Sequence, residues 1–138
     1  MEKEFVPYEL ALRMKALGFD ESCFGVYDND DDNTFYEIRS SYSIGFSKNI
    51  EGRVLAPTWQ SAFRWFREKY EIEATTSCFY SKRLDIPYEE RQYHCHIIRD
   101  GVTSKGPKYK TYEEAETACL KKLIEIVEER NNELSENT

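Results

Sequence analysis

Three stretches of this sequence repeat apolar residues at helical spacing, and strand-forming residues with turn chemistry separate them. That alternation confines the chain to an α+β architecture. The clearest stretch is 58–70. Thr58 can cap a helix there, and Trp59, Ala62, Phe63, Phe66 and Tyr70 fall at i, i+3, i+4, i+7 and i+11. At 3.6 residues per turn all five lie within about 100° of one another, which makes a core-facing stripe. Trp65 stands roughly 120° from the centre of that stripe. Either a second layer covers it or it is exposed for a partner, and in the second case it forms, with Arg64 and Arg67, the candidate partner-binding set.

The other two helices are punctuated as clearly. Over 7–17, Pro7 suits the first turn and Leu10, Ala11, Met14 and Leu17 keep helical spacing. Gly18 follows as a left-handed terminator, with Phe19 placed to fold back over the last turn. The third helix opens on a capping box, Thr111-Tyr112-Glu113-Glu114, and runs over 112–129 with Ala115, Cys119, Leu123, Ile126 and Val127 on one face.

Strand patterns occupy 23–27, 34–42, 72–80 and 91–99. The run Asp28-Asn29-Asp30-Asp31-Asp32-Asn33 is turn chemistry, and so is Lys105-Gly106-Pro107-Lys108. Residues 43–56 read as a loop or an irregular edge strand, and a long connection over 81–90 contains Pro87. The expected order is α-β-β-α-β-β-α, an antiparallel sheet with helices on one face. We expect a single domain over 1–130 and a frayed tail at 131–138, rich in Glu, Asn and Ser.

Charge and cysteine usage narrow the function classes. With 26 acidic against 19 basic residues the formal net charge is −7. That balance favours solubility and repels the phosphate backbone at long range. No segment approaches the roughly 18 apolar residues that cross a bilayer, and residues 1–7 lack the pattern of a secretory signal. Cys23, Cys78, Cys95 and Cys119 are widely spaced, so we expect buried, reduced thiols and a cytoplasmic protein.

The candidate chemical sites are incomplete. Asp28, Asp30 and Asp32 occupy the first, third and fifth places of a calcium loop, but Arg39 stands where the bidentate Glu belongs. His94 and His96 share a strand face with Cys95 pointing away, and a zinc site needs further ligands. Cys78 can join them only if it shares that face. No nucleophile elbow, phosphate loop or dinucleotide fingerprint occurs. We therefore expect no catalytic residue, no cofactor and no metal.

Two basic groups remain, Arg64, Arg67 and Lys69 in 58–70 and Lys105, Lys108 and Lys110 in the last turn. Residues 58–129 follow the element order of double-stranded-RNA-binding domains, which place lysines at the start of the last helix. Here that helix begins Glu113-Glu114-Ala115-Glu116, the opposite charge. Nucleic acid is accordingly the second choice of partner.

Three stretches also carry a resemblance. They are 6–12 with Leu17-Gly18-Phe19-Asp20, then 56–69 (APTWQSAFRWFREK), and Tyr112-Glu113-Glu114-Ala115-Glu116 with Ala118-Cys119-Leu120. Together they resemble a family of small uncharacterised proteins encoded by phages and mobile elements of gut bacteria. The resemblance implies a bacterial cytoplasm and an accessory gene, and it carries no activity, cofactor or catalytic residue. The expectation is a non-catalytic protein that acts by protein–protein binding, to a host or phage protein or as a homodimer, without a membrane.

Overall fold

The computed structural model describes residues 2–37, 52–78 and 91–136. The chain divides into two compact units, Met1–Arg64 and Trp65–Thr138. The first holds α1 (Tyr8–Ala16), β1 (Gly25–Asp28), β2 (Thr34–Glu37) and β3 (Arg53–Ala56). Helix α2 (Trp59–Tyr70) begins in the first unit and ends in the second. The second continues with β4 (Glu73–Cys78), β5 (Tyr93–Arg99), β6 (Val102–Tyr109) and α3 (Tyr112–Glu136).

The fold class is α+β, and among the described residues every paired strand is antiparallel. Among the described residues the strands form two three-stranded sheets, β2-β1-β3 and β4-β5-β6, in place of one expected sheet. Two strands make the difference. β3 emerges from the end of the 43–56 stretch and pairs with β1, and β6 occupies the segment read as a turn. The remainder of 34–42, 43–56, 72–80 and the 81–90 connection lies outside the described residues.

In the first unit α1 ends as its sequence dictates. Gly18 takes φ 97°, its N–H donates to the Lys15 carbonyl at 3.0 Å, and the Phe19 N–H donates to the Met14 carbonyl at 3.0 Å. This pair of bonds satisfies the last carbonyls and turns Phe19 inward, where it is buried. α1 packs on β3, with Leu10, Ala11 and Met14 meeting a core that includes Val6, Val26, Val54 and Leu55. The Tyr27 hydroxyl donates to the Val6 carbonyl at 2.8 Å, so this buried phenol is satisfied.

The acidic run is a hairpin turn. Asp28 Oδ1 accepts from the Asp30 N–H at 3.0 Å, and Asp32 and Asn33 adopt left-handed φ of 49° and 59°. The Tyr36 hydroxyl donates to Asp31, which ties the turn to β2. Short carboxylates that bond their own backbone are suited to this geometry.

In the second unit α3 lies across β4, β5 and β6. Thr111 Oγ1 accepts from the Glu114 N–H at 3.1 Å and opens the helix as the capping box requires. Ala115, Cys119, Leu120, Leu123, Ile124 and Val127 are all fully buried. The helix runs to Glu136, seven residues beyond its expected end, so 131–136 is helical where a frayed tail was expected. No glycine or proline follows Pro107 to stop it, and Glu, Arg and Leu sustain a solvated helix.

Candidate functional site

β5 and β6 are joined through Asp100 and Gly101, with φ of 51° and 76°, a two-residue turn whose twist matches the flanking strands. Further along the pair, His94 faces Lys108 and His96 faces Lys105. Between those partners Gly106 and Pro107 stand opposite Cys95 alone, so the ladder bulges there. The bulge admits Pro107 to the strand, and β6 is an edge strand, where a missing N–H is tolerated.

Strand alternation sends Cys95, Ile97 and Arg99 to the face that α3 covers. Ala118, Lys121, Lys122, Glu125 and Ile126 fall at i, i+3, i+4, i+7 and i+8, one stripe of α3 beside its buried stripe. These two rows bound a groove of about 430 Å³, closed along its third side by residues of β6 from Ser104 to Tyr109. Ile97, Ala118 and Ile126 give it apolar walls. Arg99, Lys121 and Lys122 are exposed along it, against one carboxylate, Glu125, while Lys105 borders it from β6 with its side chain set by register on the histidine face. Three cations beside one anion concentrate positive charge on a chain of net charge −7.

Cys95 also forms a disulfide with Cys119 of α3, with a Cα–Cα distance of 5.3 Å, inside the range such a bond requires. The expectation of four reduced thiols is corrected for this pair. Wide spacing in sequence is no barrier, because an inward strand position and an apolar-face helix position meet when α3 packs on β5. Cys23 fits the expected inert thiol, since burial first and the Glu21 charge second push it up to about 12.

The histidines lie on the other face of the sheet. Their rings meet edge-on at 5.6 Å, and the register places Ser77 beside His94 and Thr75 beside His96. Cys78 pairs with Tyr93 and so belongs to the Cys95 face, away from both histidines. Among the described residues no three His, Cys, Asp or Glu side chains are grouped to hold a metal ion.

His94 is buried, and burial lowers its pKa below the ordinary 6.5, with Lys105, His96 and Lys108 adding repulsion. An unfolded chain takes up this proton near pH 6.5, whereas the folded protein resists until lower pH. Stability is therefore full above that value and is lost as pH falls toward the folded pKa. Thermal midpoints should stay level from about pH 8 to 7 and decline below about pH 6.5. The decline should be smaller in His94→Gln, and an equal decline in that variant would assign it to other groups.

Trp65 is not where a partner anchor must be. It is 4% exposed, meets the rings of Phe66 and Tyr70 edge-on at 5.0 and 5.4 Å, and carries the Lys69 ammonium 5.0 Å from its ring centre. Arg64 and Arg67 are exposed on α2, and neither Trp65 nor Arg67 lines the groove. Trp59, the expected core residue, is half-buried with its Nε1–H donating to the Lys3 carbonyl at 3.0 Å. Of the second basic group, Lys105 lines the groove and Lys108 and Lys110 are exposed nearby in sequence.

Comparison with protein-family models, with curated proteins and with solved structures found no match. Among the described residues no helix is long and apolar enough to cross a membrane.

Proposed function

We propose that this chain is a non-catalytic binding protein that holds an acidic segment of a protein partner in the groove between β5, β6 and α3. The observation that carries the reading is the arrangement of Arg99, Lys121 and Lys122 along apolar walls. Carboxylates on an extended or helical segment meet the cations, while its apolar side chains enter between Ile97 and Ile126. A groove of about 430 Å³ takes two or three such side chains, within the usual span of ligand sites. Its lining offers charge and shape but no histidine, and its nearest sulfur is held in a disulfide. That composition suits binding over proton transfer.

The setting we propose is a bacterial cytoplasm, with the chain as an accessory product of a phage or mobile element. Its partner is a host or phage protein, or a second copy of the chain. Nucleic acid is the second reading, favoured by the same cations and by the order α2-β4-β5-β6-α3. Glu113 and Glu114 in the first turn of α3 oppose it, because they repel phosphate at the helix end.

Fluorescence anisotropy decides between them. A labelled peptide of alternating Glu and Leu should bind saturably, and Lys121→Glu with Lys122→Glu should weaken it at least tenfold while leaving the melting temperature unchanged. Both lysines are exposed, so the fold does not depend on them. Tighter binding of an RNA or DNA duplex than of the peptide would replace this reading with the second.

A further inference from the structure

Cys95 belongs both to the groove and to the disulfide, and the bond joins the groove's two main walls. One wall is β5, which carries Ile97 and Arg99 beyond Cys95. The other is α3, where Cys119 sits between Ala118 and Lys121. Cys119 is fully buried, whereas Cys95 is 5% exposed and lines the groove, so the bond is approached from the Cys95 side. A disulfide placed only to brace a core has no need of that position.

We propose that the Cys95–Cys119 bond is a redox control on the groove: oxidised, it fixes the spacing of the cations for an acidic segment, and reduced, it releases that spacing and weakens binding. This rests on the reading of the groove as the contact site. The reductant is a dithiol, protein or small molecule. One of its thiolates attacks a sulfur of the pair, forms a mixed disulfide and expels the other cysteine as a thiolate; its second thiolate then resolves the mixed disulfide. The dithiol ends as a disulfide, two electrons pass to the pair, and two protons end on Cys95 and Cys119. In a cytoplasmic chain a disulfide is more often such a transient element than a permanent one.

Two consequences follow from the shared space. Holding β5 and α3 together pre-organises the rim, so the oxidised form loses less freedom on binding. A segment seated in the groove also covers the bond, so occupancy must favour the oxidised state by the same factor as oxidation favours occupancy.

The test uses the full chain. Alkylation after denaturation without reductant should label two of the four cysteines, and labelling of all four would overturn the proposal. The Glu–Leu peptide should bind the oxidised protein about tenfold more tightly than the dithiol-reduced protein. It should bind Cys95→Ala/Cys119→Ala as weakly as the reduced form, with no response to reductant. Equal affinity for oxidised and reduced protein overturns the control and leaves the groove intact as a site. If the peptide fails to bind the oxidised protein, the groove reading alone is lost, and amide exchange judges the control. Exchange over Lys121–Ile126 should rise at least fivefold on reduction at constant pH. Unchanged exchange there overturns the proposal.

Discussion

Trp65→Ala should destabilise the protein by roughly 3–5 kcal/mol, a large part of what holds a typical domain together. The ring is 4% exposed and meets both Phe66 and Tyr70 edge-on, so truncation removes these contacts and leaves a cavity. It also strips the Lys69 ammonium of the aromatic face beneath it. Trp59→Ala should cost less, about 1–2 kcal/mol, because that ring is half-buried and its one hydrogen bond is to an exposed carbonyl. Urea unfolding of the two variants measures the difference directly. A larger loss for Trp59 than for Trp65 would mean that the helix is rotated from the position described.

That ordering reverses what the sequence suggests, and the reason is geometric. The apolar residues of α2 cover well over one stripe, and helical spacing alone selects the face richest in aromatics. The face actually buried holds Ala62, Trp65 and Phe66, turned by about 60° from the expected centre. The helix starts at Thr58 and Thr111 and the stop at Gly18 were more legible, because the two hydroxyls and the Gly18 backbone bond groups within one turn.

β6 was hidden by the opposite problem. Gly106-Pro107 is a strong turn signal, and only the unseen bulge at Cys95 makes it compatible with a strand. The readable clue was Asp100-Gly101, the commonest kind of two-residue hairpin link, which required a second strand after 99. The groove could not be found without that strand. On sequence alone, Lys121, Lys122 and Glu125 are an ordinary solvated helix face, and nothing local places them across from Arg99.

Reduction of the Cys95–Cys119 bond should lower the stability of the oxidised protein by about 3.5 kcal/mol. The bond closes a loop of 24 residues' separation, and opening it returns that much conformational freedom to the unfolded chain. For a chain of 138 residues the loss corresponds to roughly 10 °C in the melting temperature. In the oxidised fold Cys95 and Cys119 are both buried, as are Ile97, Leu120 and Leu123. Cys95→Ala/Cys119→Ala should therefore melt near the reduced protein, lower by no more than about 1 kcal/mol for the missing sulfur volume, and should ignore reductant. The dependence on urea separates this account from a simple packing defect. An unfolded chain without the bond exposes more surface, so the slope m should rise on reduction while it stays constant for a defect confined to the folded core. A midpoint and slope that both ignore the reductant would show that these two cysteines are not joined.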